Sequence, residues 1–536
     1  IPAAALNSPV TGNVPDDTMM HVGISFKISQ STLDQFDKQK IQPGQRSNLE
    51  NSANKIGITD ASYQKIKAFF NLGGIGLNLS KLHTHLNVTA KAKTIGKVLQ
   101  THFVMHKYND RTFFAPATPP KLPKFLADSI QAITGLDNYS APPQTGAVYQ
   151  HQRLNTGQHQ VHPAQDCSAS SQTLRPRDIA HAYGYDQLWN RGLHGENMTV
   201  NLVEIDGFDQ RDIQNYFQCI NFQGHLSVTD IDGAPNQALG ESTLDIEMVA
   251  GLARSINIAD YETDGNSNGN IWGQINDELQ QIINDNTNNA SAGSVVSISL
   301  GAAEGQISSS DRAAIENSIQ TLNQIEHMTV FVASGDCAAF TDRHYGSLSV
   351  AFPASDPWST SVGGTILSVD GGQNRANEVV WSDGSNPSAC KNRWGSGGGN
   401  SAVYAPRPSW QNAPGVDNPY SSNTRQLPDI AAVAFDLAVY FGGNWGAVGG
   451  TSAAAPIWAA GIALVNQGLM QQVSKYAYSP RMFYVAATNN GGSNPYYDVT
   501  RGNNLHYPAT SGWDYPTGLG TPNLADFYQA ITNNIR

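Results

Sequence analysis

The sequence predicts an α/β fold in which a parallel sheet is flanked by helices, preceded by a smaller α/β unit. Three observations carry this prediction. Short runs rich in Val and Ile (MTVNLVEI, SVVSISL, MTVFVAS) recur after residue 197. Segments of helical period separate them: 241–253, GQINDELQQIINDN and DRAAIENSIQTLNQIEH. Alternating strands and helices of this kind build a parallel sheet covered on both faces, with functional residues in loops at the carboxyl ends of the strands. Finally, an aperiodic stretch rich in Pro, Gly, Gln and His divides this region from an N-terminal block with strand and helix signals of its own.

In chain order, VGISFKIS alternates Val22, Ile24, Phe26 and Ile28 with Gly23, Ser25, Lys27 and Ser29, the pattern of a half-buried strand. TDASYQKIKAFFNLGG has a capping Thr59 or Asp60 and a stop at Gly73, which predicts a helix. LPKFLADSIQAITGL spaces Leu126, Ile130 and Ile133 as a helix would and stops at Gly135. Periodicity then vanishes from Asp137 to about residue 175. The expected organisation is an N-terminal unit over 1–140, an exposed linker over 141–175 and a large domain over 176–536. An exposed linker is where proteases cut.

Composition narrows the function. Only 14% of the 536 residues are charged, the net charge is −12, and no basic stripe exists, which excludes nucleic acid as a partner. Uncharged amides and hydroxyls stand in for the missing charges, which suits an acidic medium because self-repulsion at low pH is small. No apolar run approaches the roughly 18 to 20 residues of a membrane helix, so no membrane partner is expected, and the opening IPAAAL is too short for a secretory signal. The four cysteines form no C-x-x-C pair, which disfavours zinc. Two disulfides, with Cys167–Cys219 and Cys337–Cys390 the pairing that closes local loops, compete with four buried free thiols.

Chemistry concentrates in two helical stretches. In GESTLDIEMVAGLA, Glu241, Asp245, Met248, Val249 and Leu252 share one face, so two carboxylates lie on the stripe that should be buried. In VGGTSAAAPIWAAGIALVNQ, a Gly-Gly-Thr-Ser turn runs into an apolar helix. Ser452 thus stands at a helix N-terminus, where developing negative charge is favoured, as a nucleophile requires; a plain N-cap is the alternative. The only histidine between 207 and 320 is His225, in a loop, so the usual histidine base is missing. Asp206 lies where a subtilisin reading would look for an acid, but it lacks that histidine.

With E-x-x-L-D at Glu241–Asp245, A-S-G-D ending at Asp336 and G-T-S-x-x-x-P from Gly450 to Pro456, the chain resembles the sedolisins, the serine-carboxyl peptidases. They look like subtilisins whose histidine and aspartate are replaced by a glutamate and an aspartate on one helix. The resemblance implies a subtilisin-like catalytic domain, with Ser452 as nucleophile, Glu241 as general base and acid, Asp245 as its proton-sharing partner and Asp336 as oxyanion donor. Glu204 matches a strand-end glutamate that some members add to the chain of hydrogen bonds; their tryptophan partner is Leu300 here. SISLG and the segment Gly395 to Ser401 should border the cleft.

The C-terminal YYDVTRGNN and YPATSGWDYPTGLGTPN match the family's calcium site. One structural Ca²⁺ would be held by Asp498 and Asp514 and by the carbonyls of Val499, Thr510 and Gly512. The N-terminal unit resembles a kumamolisin-like activation domain, an α+β sandwich, so the chain reads as a proenzyme whose prodomain is an intramolecular inhibitor. The implied activity is acid-acting hydrolysis of polypeptides, internal or as tripeptide release, by a monomer that is secreted or held in an acidic compartment such as the lysosome. A neutral subtilisin-like peptidase and an inactive peptide-binding relative are the alternatives.

Overall fold

The computed structural model describes residues 1–535 apart from 2, 40–48, 109–110, 146–147, 151–166, 168–172, 266–268, 288–293, 343–345, 383–389 and 391–393. Eight strands form the central sheet, in the order His225–Asp230, Asn257–Glu262, Thr199–Glu204, Val295–Ile298, Thr329–Ala333, Thr360–Val369 and Arg375–Val380, with Ile430–Val433 also pairing to Thr360–Val369. Every pairing is parallel except that of Arg375–Val380.

Successive side chains of a strand point to opposite faces. Val200, Leu202, Val295 and Phe331 join one apolar core, with the helices Glu241–Leu252 and Thr451–Val473. Val203, Val296, Ile298, Val330 and Val332 join the other, with the helices Ile271–Asn286 and Ser309–Gln324. Burial on both faces is why these strands read as continuous apolar runs.

The N-terminal unit has an antiparallel sheet in the order Gly76–Leu79, His85–Lys91, Met19–Phe26, Ile130–Thr134, and a second sheet of Val10–Asn13, Phe103–Tyr108 and Arg111–Pro116. It docks on the second face of the large domain. Leu33, Phe36, Ile56 and Leu82 enter the same core as Trp272 and Ile275. Ser310 Oγ donates to the Ile133 carbonyl at 2.5 Å, and His327 Nε2 lies 2.9 Å from the Phe36 carbonyl. Two histidines of the unit face aspartates across the interface, His21 to Asp232 and His85 to Asp277, each at 3.1 Å.

Several expectations change. LPKFLADSIQAITGL is not one helix. A single turn at Lys124–Ala127 gives way to the strand Ile130–Thr134, antiparallel to Met19–Phe26. Its β-branched residues suit a sheet position, and pairing overrides the helical spacing. The stop at Gly135 holds: φ is 79° and a Cβ there would lie 1.9 Å from the His21 carbonyl. The helix capped by the Thr59 hydroxyl runs Asp60–Phe69 and ends before Gly73. SVVSISL splits at Ser299: Val295–Ile298 stays in the sheet, while Leu300–Ala303 leaves to pair with Ala351–Phe352.

The linker is not free where it is described. Ala141 N donates to Gln306 O at 3.0 Å, Gln144–Thr145 pairs with Leu300–Gly301, and Val148–Gln150 pairs with Ala447–Gly449. Its histidines, His151, His159 and His162, lie outside the described residues.

One apolar run does meet the membrane criterion. Thr451–Val473 has 23 residues and enough hydropathy to span a bilayer, but 94% of its most apolar window is buried in the fold, and its Ala and Gly residues are what let neighbours pack closely around it. The disulfides Cys167–Cys219 and Cys337–Cys390 are both formed.

Candidate active site

The site assembles at the carboxyl ends of the central strands, as expected for a parallel sheet. Glu204 is the last residue of its strand, Ser299 follows Ile298, and Asp336 follows the strand Thr329–Ala333. The Glu241–Leu252 and Thr451–Val473 helices pack against each other on the face below.

The Glu241–Leu252 helix is buried along its whole length, not along one stripe. Its other polar residues are accommodated one by one: Ser242 Oγ donates to Asp260 at 2.9 Å, and Glu247 accepts the Tyr440 N–H at 2.8 Å. Glu241 and Asp245 therefore lie among apolar and acidic neighbours with almost no access to water.

A serine that sequence reasoning passed over joins the two helices. Ser299 Oγ lies 2.5 Å from Asp245 Oδ2 and 3.0 Å from the carbonyl of Ser452, while Ser452 Oγ donates to the Ser299 carbonyl at 3.1 Å. Pro456 explains why that Ser452 carbonyl is available. Proline has no N–H, so the helical bond from residue 456 back to 452 cannot form, and Ser299 takes its place. The signal lies in the G-T-S-x-x-x-P spacing itself, which puts proline four residues after the serine.

Asp336 Oδ1 accepts two bonds from Thr451, one from its N–H and one from its hydroxyl, both at 2.8 Å. Residues 335–337, Ser299–Gly301, Thr451 and Ser452 line one recess, which Gln144 of the linker also enters. Leu300–Gly301 thus borders the recess as expected. The segment Gly395 to Ser401 adjoins it: Gly395 N donates to Asp336 O and Gly397 N to Gly335 O.

Burial dominates the electrostatics. It pushes the Asp245 carboxyl up to about 8, against a hydrogen bond from Ser299 and one from Glu204. Glu204 is fully buried, no N–H or O–H of the described residues donates to its oxygens, and Asp245, Asp260, Asp206 and Glu241 surround it. Burial first, then those charges, hold it well above the ordinary range. Its carboxyl and that of Asp245 lie within interacting reach of each other. This contact exists without the tryptophan, since Leu300 is buried and apolar.

The expected cation ligands fall in one loop. Asp498 Oδ2 accepts the Gly512 N–H at 2.9 Å, and Asp514 Oδ2 accepts the Thr510 N–H at 2.8 Å. Among the described residues, no backbone N–H donates to the carbonyls of Val499, Thr510 or Gly512. Burial, with a contribution from Asp498, pushes Asp514 up to about 7. Two acids that disfavour each other's charge, beside three carbonyls without donors, fit an oxygen-seeking cation such as Ca²⁺. Among the described residues no three His, Cys, Asp or Glu side chains cluster to hold a metal.

Comparison with known proteins gives a consistent picture. Residues 10–139 match the family model of the pro-kumamolisin activation domain. The chain is 27% identical to kumamolisin of Bacillus sp. (strain MN-32), over 99% of this chain and 94% of that one. It is 25% identical to sedolisin of Pseudomonas sp. (strain 101), over 96% and 87%, and 23% identical to tripeptidyl-peptidase 1 of Dictyostelium discoideum, over 78% and 72%. The solved structure of Pseudomonas sedolisin, a serine-carboxyl proteinase bound to two molecules of pseudo-iodotyrostatin, superposes with a TM-score of 0.59 at 26% identity, over 68% of this chain and 99% of that chain. An activation domain and a peptidase fold, matched in order along nearly the whole length, make the chain similar to the proenzymes of serine-carboxyl peptidases such as kumamolisin and sedolisin.

Proposed function

We propose that this chain is an acid-acting, self-activating peptidase in which Ser452 is the nucleophile, Glu241 its general base and acid, Asp245 the partner that shares a proton with Glu241, and Asp336 the oxyanion donor. The observation that carries the reading is the Ser299 clamp, which ties the carboxylate helix to the serine helix beside a recess holding both Ser452 and Asp336.

The chemistry follows from the charges. Asp245, pushed up by burial, is neutral at acidic pH and donates to Glu241, which then bears the one negative charge of the pair. Ser452 Oγ attacks the scissile carbonyl and its proton passes to Glu241. Protonated Asp336 and the Ser452 N–H bind the resulting oxyanion. Because Oδ1 of Asp336 already accepts two bonds from Thr451, the proton belongs on Oδ2. Collapse of the intermediate expels the amine, which takes the proton from Glu241, and leaves an acyl-serine. Water repeats the sequence and frees the acid product. A histidine base would be fully charged in the same medium and unable to accept a proton.

The linker strands at Gln144–Thr145 and Val148–Gln150 add to strand edges beside the recess as an extended peptide would, which supports the reading of the prodomain as an intramolecular inhibitor of the peptidase. We assign the prodomain to residues 1–140, the segment to be cut to 141–175 and the peptidase to 176–536. One structural Ca²⁺ at Asp498, Val499, Thr510, Gly512 and Asp514 would pin the C-terminal loop. Two disulfides suit an oxidising, extracellular or lysosome-like setting.

The test is turnover of an unfolded protein from about pH 3 to about pH 8 by the wild type, Ser452→Ala and Glu241→Gln. Ser452→Ala should be inert and unprocessed, and Glu241→Gln slowed by orders of magnitude. Full activity in Glu241→Gln would remove the base assignment. Product lengths from one long peptide separate internal cleavage from tripeptide release.

A further inference from the structure

Asp206 stands two residues beyond Glu204, where the chain leaves its strand, and the mechanism gives it no role. Its side chain is buried and accepts four backbone N–H groups. Oδ2 takes those of Leu239, Gly240 and Glu241 at 2.7, 2.8 and 3.3 Å, and Oδ1 takes that of Ser242 at 3.1 Å. These are the residues that open the Glu241–Leu252 helix. That helix has no side-chain cap of its own; the capping position is Gly240, at φ 109°.

The first N–H groups of a helix have no partner within it and carry partial positive charge. Left bare, this terminus would favour an ionised carboxylate at Glu241, the first helical residue, and would let the acid cluster lose its protons early. Asp206 takes up those donors and sets a carboxylate in their place; burial raises that carboxylate above its ordinary value, and the four N–H bonds offset part of the rise. Among the described residues the titratable groups that face it are acids: Glu241 and Asp245 on the helix, Glu204 at the end of its own strand, and Asp260 and Glu262 on the adjacent strand. Asp230 and Glu278 lie on the outer side of the same cluster. Asp206 raises Glu204, Asp245, Asp260 and Glu262 alike, while its four N–H bonds oppose the upward push of its own burial.

We propose that Asp206 is a positioning residue for the carboxyl pair: it fixes the helix turn that presents Glu241, and its charge keeps the working proton on the Glu204–Asp245–Glu241 cluster to a higher pH than a bare helix terminus would. This rests on the assignment of Glu241 and Asp245 made above.

The test is the pH profile of kcat/KM for acid-processed wild type, Asp206→Asn and Asp206→Glu, with Glu241→Gln alongside. Asp206→Asn keeps an oxygen for the helix N–H groups and removes the charge, so the alkaline limb should move to lower pH by about one unit. Asp206→Glu keeps the charge and misplaces the carboxylate, so it should lower kcat and leave the limb where it is. If Asp206→Asn does not fold, Asp206→Ser, with a smaller capping oxygen, carries the same expectation. A uniform loss of kcat with an unmoved limb in the neutral variant would show that Asp206 is a cap and nothing more. An equal limb shift in Asp206→Glu would also overturn the electrostatic role. Full activity in Glu241→Gln would instead strike the underlying assignment, whatever Asp206 does.

Discussion

Replacing Asp245 with asparagine should make the fold more stable near neutral pH even as it disables the enzyme. Asp245 is fully buried, and burial pushes its carboxyl from the ordinary 3.8 up to about 8. A folded-state acid raised in this way costs nothing below its unfolded value. Between about 3.8 and about 8 the unfolded chain gives up the proton while the folded chain keeps it, so stability is lost at about 1.4 kcal/mol per pH unit. The shift between those two values sets a ceiling of about 6 kcal/mol. Part of it is shared with Glu204, whose hydrogen bond to Asp245 couples the two, so a few kcal/mol is the expected effect. Asparagine copies the neutral acid, one acceptor and one donor, and has no proton to lose.

The comparison belongs in a Ser452→Ala background, where self-digestion cannot distort the result. Denaturant unfolding of Ser452→Ala and of Ser452→Ala/Asp245→Asn would be followed at several pH values from about 4 to about 7.5. Buried acids that do not interact with Asp245 contribute the same slope to both proteins, so the difference reports Asp245 together with its coupling to Glu204. The double variant should gain about 2 to 5 kcal/mol on the single one across that range. A difference that stays flat with pH would mean that Asp245 titrates as an ordinary exposed aspartate, and the proton-sharing argument would fail with it.

Three further outcomes are expected. Asp336→Asn should lose about 10- to 1,000-fold in kcat, because an amide still donates to an oxyanion but less strongly than an acid; full activity would reduce Asp336 to a turn residue. Exhaustive chelation should lower the melting temperature more than it lowers the initial rate at low temperature, since an ion bound only to the folded state acts on stability by mass action, and an unchanged melting temperature would count against the calcium loop. At the prodomain interface, His21 is raised chiefly by its hydrogen bond to Asp232, whereas Asp232, pushed up most by its own burial, ends below the ordinary value because the hydrogen bond and charge of His21, a hydrogen bond from Asp277 and the charge of His85 together exceed that push. The His21 contribution is complete below the ordinary histidine range and lost as pH rises, and the Asp232 contribution is lost as pH falls through its depressed value, so the pair holds best between the two. Asp232→Asn should therefore let processing, read by gel, begin at higher pH than in the wild type.

The sequence disclosed the layered α/β architecture because apolar runs buried on both faces have few alternatives. It pointed to Glu241, Asp245, Asp336 and Ser452 because each lies in a short motif whose chemistry would demand those residue types at that spacing. Ser299 was invisible for the opposite reason. One serine in SISLG carries no pattern, and its value comes from meeting Asp245 and the Ser452 carbonyl across more than fifty residues in one direction and about 150 in the other. Ile130–Thr134 was misread because a five-residue strand and one and a half helical turns space their apolar residues alike, and only the partner strand Met19–Phe26 decides between them. The linker strands were illegible because their hydrogen bonds are made by backbone, which sequence composition does not report.

The burial of the acids and the docking of the prodomain have a common logic. The prodomain shares its apolar core with the helices Ile271–Asn286 and Ser309–Gln324, on the face of the sheet opposite the Glu241–Leu252 and Thr451–Val473 helices. It is therefore held by a shared apolar core on that face, while Gln144 of the linker reaches the recess. Acid then acts on both faces. At the interface it weakens pairs that depend on an ionised aspartate, such as His21–Asp232. Beneath the recess it supplies protons to Asp245 and Glu204, which burial has made eager to accept them. One change of medium would thus loosen the prodomain and protonate the buried acids, and Glu278, which feels Asp232 and Asp277 on one side and Asp260 and Glu262 on the other, lies between the two events.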